Sequence, residues 1–222
     1  MKNIKIQIFL RFGCFPLVLG LIFFLPAGSF RFWEAWIYIG ILFFPMLFVV
    51  LYFLKKDPGL LERRMRMKEK EKEQKILIKL SSFLFLAGFL LPGFDFRYQW
   101  SHIPIYLVLT ADVVVFLGYV IFFFVMRENS YLSRIVEVEE GQKVISTGPY
   151  SVVRHPMYIG VLLMFLFTPI ALGSWWALIP FIPMPVILAL RILNEEKVLT
   201  KNLSGYEEYR KTVPFRLIPY IW

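Results

Sequence analysis

The chain has 222 residues, 58% of them hydrophobic and 18% aromatic, and a mean hydropathy of +0.63. Soluble domains are about 45–50% apolar even with glycine counted, so this composition excludes a water-soluble globular protein and points to lipid as the solvent. A net charge of +9 would suggest a nucleic-acid partner in a soluble chain; here the basic residues gather between apolar runs, as topology signals do, and no nucleic acid is expected.

The apolar runs predict an all-α integral membrane protein, one domain over 1–222, with about five to six transmembrane helices. The runs are 7–27, 32–54, 76–94 and 103–126, then a long stretch over 157–192. Lys2 and Lys5 ahead of the first run and Ala27-Gly28-Ser29 after it look like a signal peptide, but Arg11 interrupts the run and the segment is expected to be retained. Cys14 is the lone cysteine, so no intrachain disulfide is possible. The basic segment 55–75 predicts a solvated helix on anionic headgroups, with Leu60, Leu61 and Met65 dipping into lipid. Asp112 lies inside the fourth run, where a carboxyl needs a hydroxyl partner or a proton.

Residues 1–126 thus form four N-terminal spans, and 127–222 form a separate motif-bearing region within the same domain. Ile135–Val138 and Lys143–Ile145 flank Glu139-Glu140-Gly141-Gln142 and predict a short β-hairpin. The stretch 157–192 is too long for one span of about 20 residues. Gly173-Ser174 marks its turn, giving a C-terminal helical hairpin whose second arm is broken or kinked at Pro180, Pro183 and Pro185. A tail helix is expected to start at Asn194 as its cap, break at Ser204-Gly205, resume to about Lys211 and end extended at Pro214 and Pro219.

Two clusters can carry chemistry. In the first, Gly148-Pro149-Tyr150 is followed by Arg154-His155-Pro156, Tyr158 and Gly160. Pro156 suits a first helical position. The free N–H groups there, with a guanidinium and an imidazole, suit an anion such as a carboxylate. The same residues also read as a positive membrane anchor and a plain cap. In the second, Arg191 precedes Glu195 and Glu196 where the last span leaves the membrane. The carboxylates suit a cationic group or a diol and Arg191 an anionic acceptor, while Arg191 and Glu195 also read as an ordinary surface pair. The sequence has neither a Walker loop nor a Gly-rich dinucleotide fingerprint, and no Cys/His cluster with metal spacing, so no metal is expected.

Taken together with Gly205, Tyr206, Tyr209, Val213-Pro214, Leu217 and Pro219, these clusters resemble the isoprenylcysteine carboxyl methyltransferase family and the related phospholipid N-methyltransferases. The resemblance covers about residues 130–222; the earlier spans share only a hydropathy pattern. It implies an integral membrane methyltransferase using S-adenosyl-L-methionine, with a folded-back tail closing over a cytoplasmic cofactor-binding loop. It assigns Gly148, Tyr150, Arg154, His155, Pro156, Tyr158, Gly160 and Glu195 to the cofactor, and Arg191, Glu195 and Glu196 to the reaction centre. The implied acceptor is a lipophilic small molecule or a lipid-linked group, most simply a carboxylate or thiol. A phospholipid N-methyltransferase, an NAD(P)H-dependent reductase of the sterol type and a non-enzymatic membrane protein remain alternatives, and the oligomeric state stays open.

Charge sets the expected orientation. Lys and Arg fill 55–79, recur at Arg127, Arg134, Lys143 and Arg154, and continue from Arg191 to the end, whereas the opposite side keeps Arg31 and Arg97. Both termini and the site are therefore expected at the cytoplasmic face, with the 95–102 loop outside. In chains with Cys14 replaced by serine, a membrane-impermeant thiol reagent applied from outside is expected to label Gln99→Cys and spare Lys70→Cys; the reverse pattern contradicts the topology.

Overall fold

The computed structural model describes residues 12–66, 69 and 71–222. The expectations for residues 7–11 of the first run, for Lys2, Lys5 and Arg11, and for Met67, Lys68 and Lys70 of the basic segment lie outside the described residues. The described α-helices are α1 (Phe15–Ala27), α2 (Trp33–Lys56), α3 (Pro58–Met65), α4 (Lys72–Tyr98), α5 (Ile105–Glu128), α6 (Pro156–Ala171), α7 (Leu178–Phe181), α8 (Met184–Asn202) and α9 (Tyr206–Thr212). A single 3-10 turn covers Gly148–Ser151.

Among the described residues, four helices are long and apolar enough to cross a membrane: α2, α4, α5 and the run Leu178–Asn202 formed by α7 and α8. The apolar helices α1 and α6 are shorter. Exposed Leu17, Leu21, Leu25, Phe44, Phe48, Phe83, Phe116 and Leu117 turn large apolar side chains outward from α1, α2, α4 and α5. In water such faces would aggregate; in a bilayer they meet acyl chains, as in a multi-pass membrane protein. Lys55 and Lys56 end α2 where cations favour the helix dipole. Asp57 caps α3 by accepting the Leu60 N–H at 2.9 Å, with Pro58 starting the helix.

The chain divides into two compact units, Met1–Leu51 with Ser82–Leu117 and Leu163–Pro183, and Tyr52–Ser81 with Gly118–Leu162 and Met184–Trp222. The first unit is packed by rings. Phe23, Tyr38, Phe85, Phe89, Phe165 and Phe181 meet edge-on or stacked at 4.5–6.5 Å between centroids, and the Tyr38 hydroxyl is 2.6 Å from Thr168 Oγ1. Asp95 fastens the end of α4 to the hairpin turn. It accepts from the Ser101 N–H at 2.7 Å, the Ser101 hydroxyl at 2.6 Å and the Ser174 hydroxyl at 2.5 Å. Asp112 is buried and neither carboxyl oxygen has a hydrogen bond, which leaves the other expected alternative, a carboxyl that keeps its proton.

In the second unit α6 lies against α5 at Gly160, where a Cβ would come within 2.6 Å of the Gly118 carbonyl oxygen. Three sequence expectations are corrected in this unit. The 135–145 segment forms its turn, with Gln142 N–H donating to the Glu139 carbonyl at 3.1 Å and Gly141 at φ +71°, but no strand pairing. Val138, Val144 and Ile145 pack on a core around Tyr206 and Tyr209, so the two flanks bury side chains against helices instead of pairing with each other. Asn194 caps nothing, because α8 runs unbroken through it; a continuous helix satisfies its own backbone there. Leu60 and Leu61 are buried in protein, not lipid. The proline-rich arm breaks as expected, between α7 and α8.

Replacing Asp95 by alanine leaves two serine hydroxyls and an amide without their acceptor. The expected loss is about 1–3 kcal/mol, read as a lower melting temperature of purified protein in detergent; an unchanged melting temperature contradicts the role.

Candidate functional site

Pro156 has no N–H to lose at the start of α6. Just before it, the Arg154 N–H donates to the Phe215 carbonyl at 3.0 Å and the His155 N–H to the Arg216 carbonyl at 2.9 Å. The donors that sequence offers to an anion are thus taken by the C-terminal segment, which folds back along the loop. That segment turns on itself. The Trp222 carbonyl accepts from Arg216, Leu217 and Ile218, and the Arg216 guanidinium lies 5.4 Å from the Trp222 ring centroid.

Glu196 is the anchor of this arrangement. It is 5% exposed and accepts from Arg154 Nε at 2.7 Å and Arg216 Nε at 2.9 Å. His155 Nε2 stands 3.4 Å from the same carboxylate without a hydrogen bond. Arg154, also 5% exposed, sends Nη1 to the Val213 carbonyl at 2.7 Å. One carboxylate on α8 therefore ties the 148–156 loop to the tail.

A second network sits one turn away. The Tyr158 hydroxyl donates to Glu195 Oε2 at 2.7 Å and accepts from Arg191 Nε at 3.0 Å. Arg191 Nη1 donates to Gln74 Oε1 at 3.0 Å, the Gln74 amide returns to the Arg191 carbonyl at 3.1 Å, and Arg191 Nη2 donates to the Arg134 carbonyl at 2.8 Å. Arg191 and Glu195 are thus joined through Tyr158 and not as a surface pair. Arg64 is half-buried nearby, donating to the Ser133 carbonyl at 3.0 Å and lying 5.1 Å from the Phe122 ring. Burial, with the Arg134 and Arg191 cations, pushes its guanidinium down to about 10, so it is charged at neutral pH.

Of the residues singled out in sequence, Tyr150, Arg154, His155, Tyr158, Arg191 and Glu195 line one cleft. Gly148, Pro156, Gly160 and Glu196 do not line it; they shape the chain around it. Gly148 has φ +54°, and a Cβ would come within 2.9 Å of Glu128, so the turn into the loop requires glycine. The opposite wall comes from Tyr131–Ser133, Ile135–Glu137 and Gln142–Ile145, and the lower wall from Leu199, Leu203, Tyr206 and Tyr209. The first part of that wall is strapped to the basic segment: Arg63 donates to the Ser130 carbonyl at 2.5 Å, Arg66 pairs with Glu137 and Glu139, and Glu69 accepts the Val136 N–H at 3.2 Å. The walls close to about 90 Å³ of free space, below the roughly 300–1,000 Å³ of small-molecule sites.

Among the cleft residues the buried Tyr206 hydroxyl has no hydrogen-bond partner, and His155 Nε2 has only the Glu196 carboxylate, 3.4 Å away. Unpaired buried donors are costly and mark a place where a ligand atom fits. Burial raises the Tyr150, Tyr206 and Tyr209 phenols, so all three are protonated at neutral pH. Asn129 donates to the Tyr150 hydroxyl at 3.0 Å, and the Tyr209 hydroxyl donates to the Tyr150 carbonyl at 2.7 Å. Sequence reasoning missed Gln74, Arg64, Arg134 and Arg216 and did not place Tyr206 at the site. Gln74 gave one signal, an uncharged polar residue in the charged first turn of a membrane helix.

Residues 106–205 match the phospholipid methyltransferase family, a region that includes Tyr150, Arg154, His155, Tyr158, Arg191, Glu195 and Glu196 but not the basic segment 63–74 or the residues from Tyr206 onward. Over 86 residues the chain is also 33% identical to the Delta(14)-sterol reductase TM7SF2 of Mus musculus, covering 37% of this chain and 20% of that protein. The chain therefore spans about a fifth of the length of this curated relative.

Glu196→Gln removes the charge that balances buried Arg154. Breaking a buried pair on one side costs about 3–5 kcal/mol, here concentrated where the tail is held. Limited proteolysis is expected to cut near residues 210–218 much faster in the variant than in wild type; equal rates contradict the clamp.

Proposed function

We propose that the chain is an integral membrane S-adenosyl-L-methionine-dependent methyltransferase acting on a lipophilic acceptor with a carboxylate or thiolate. The observation that carries this reading is one cleft lined by His155, by Tyr206 with its unpartnered hydroxyl, and by the Glu195 carboxylate. An amino acid with a carboxylate and an ammonium needs this mixture of groups. His155 and Tyr206 would donate to the cofactor carboxylate, Glu195 would hold its ammonium, and Tyr150, Tyr209, Leu199 and Leu203 would offer an aromatic and apolar wall. When bound, the cofactor supplies an electrophilic methyl group on a cationic sulfur. Arg154 and Glu196 position the wall by holding the tail. Matching of residues 106–205 to the phospholipid methyltransferase family supports the same class.

The acceptor reading rests on charge. The Arg64, Arg134 and Arg191 side chains interact electrostatically around Tyr158, a setting that favours an anion and disfavours the ammonium acceptor of an N-methyltransferase. An anionic acceptor is already the nucleophile, so the residues need only align it and exclude water. Arg191 uses three of its five N–H groups to fix its plane and keeps the others for the acceptor. The site and both termini face the cytoplasm in this reading. The identity to a Delta(14)-sterol reductase supports a second reading, a membrane reductase fed by a nicotinamide cofactor.

Calorimetry separates them. Purified protein is expected to bind S-adenosylhomocysteine saturably and not NADPH, and His155→Ala and Tyr206→Phe are each expected to weaken binding by about 1–3 kcal/mol. NADPH binding without S-adenosylhomocysteine binding favours the reductase. Once an acceptor is found, Arg191→Lys is expected to lower turnover about tenfold or more, because an ammonium cannot reproduce the guanidinium fork; wild-type turnover in that variant rejects the role.

A further inference from the structure

Helix α8 has a second lined face. Arg191, Glu195 and Leu199 look into the cleft, whereas Leu190, Leu193, Asn194, Lys197, Thr200 and Lys201 line a separate groove of about 780 Å³, closed on its other sides by the start of α4 and by Arg210 and Arg216. The groove has two chemical zones. Ile76, Leu77, Leu190 and Leu193 make an apolar wall, and Ile76, Leu190 and Leu193 are 67%, 46% and 38% exposed. These residues belong to two of the helices long and apolar enough to cross a membrane.

The other zone is cationic. Lys197 and Lys201 stand one helical turn apart on α8, and neither has an ion pair among the described residues. Arg210 donates only to the Thr200 hydroxyl, at 3.3 Å. Arg216 gives Nε to Glu196 and leaves its Nη groups without a hydrogen bond among the described residues. Against these four cations the lining holds Glu73 and Glu196, and Glu196 is already held by Arg154. An excess of unpaired positive charge at the end of an apolar groove on membrane-crossing helices is complementary to one class of molecule: a phospholipid, with its acyl chain along the wall and its anionic headgroup on the cations.

We infer that this groove is a seat for a single anionic phospholipid, distinct from the methyl-transfer cleft and lying on the opposite face of α8. The lipid phosphate would sit against Arg216, the same residue that clamps Glu196, so lipid occupancy braces the tail that closes the cleft. The inference needs only the groove and its charges and stands apart from the proposed chemistry.

Native mass spectrometry on the full chain in detergent tests it, with phosphatidylglycerol, phosphatidylcholine and inorganic phosphate as probes. Wild type is expected to retain one phosphatidylglycerol in preference to phosphatidylcholine, and inorganic phosphate is expected not to displace it, since the apolar wall contributes to binding. Lys197→Gln/Lys201→Gln is expected to lose this preference by about tenfold, while Lys55→Gln/Lys56→Gln, an equal charge change at exposed positions outside the groove, keeps it. Ile76→Trp narrows the groove with every charge intact and is expected to lower occupancy as well. Retained preference in the Lys197/Lys201 variant, equal loss in the Lys55/Lys56 control, or displacement by inorganic phosphate overturns the proposal.

Discussion

A single buried carboxylate, Glu196, organises the second unit. It lies on α8, and its two oxygens take the Nε atoms of Arg154 and Arg216 from the loop before α6 and from the tail. A charge this deeply buried is tolerable only when paired and hydrogen-bonded. The requirement works in both directions: Arg154 is equally buried and needs Glu196. The backbone then follows the side chains, because with the tail held at Arg216, the Arg154 and His155 amides meet the Phe215 and Arg216 carbonyls. Tail, loop and α8 form one hydrogen-bonded unit whose parts lie far apart in sequence.

The clamp leaves the neighbouring groups free to do something else. Arg154 and Glu196 neutralise each other, and the tail carbonyls consume the amides at the start of α6. What remains lining the cleft is the His155 ring, the Tyr206 hydroxyl, the Glu195 carboxylate and the Arg191 fork, the last two held in place by Tyr158 and Gln74. Rigid presentation of a few polar groups in an otherwise apolar wall is what a small-molecule site needs. The wall that would have to yield to a larger ligand is the 139–146 stretch, which has no regular structure and is held by Glu139 pairing with Arg66 and by Val144 and Ile145 packing on the tyrosine core. The strapped part, 130–138, is held by Arg63, Arg64, Arg66 and Glu69.

Much of this was legible in the sequence for physical reasons. Helix ends followed from Pro156 and Ser204-Gly205, and the hairpin from a run too long for one span around Gly173-Ser174. Tyr150, Arg154, His155, Tyr158, Arg191 and Glu195 stand out by their residue types and spacing, and they line one cleft. What sequence could not show was who pairs with whom. Arg191 and Glu195 are one helical turn apart and invite a direct pair, yet Tyr158 stands between them. Glu195 and Glu196 are adjacent, yet their side chains leave α8 on different faces, so one enters the cleft and the other the clamp. Gln74 and Arg64 are ordinary surface types in a charged segment, and only the fold reveals Gln74 buried and Arg64 half-buried. The 135–145 segment carries hairpin chemistry at its turn, but its flanks had a better burial partner in the tyrosine core than in each other.

The proposed methyl transfer needs a cleft that closes around a sulfonium nucleoside beneath the tail. Amide hydrogen exchange of the full chain in detergent, with and without saturating S-adenosylhomocysteine, tests that closure at the walls themselves. Slower exchange is expected in the 139–146 stretch and in residues 206–213 when S-adenosylhomocysteine is added, with no such change on adding NADPH. Unchanged exchange in both segments with S-adenosylhomocysteine, or slowing by NADPH alone, would contradict it.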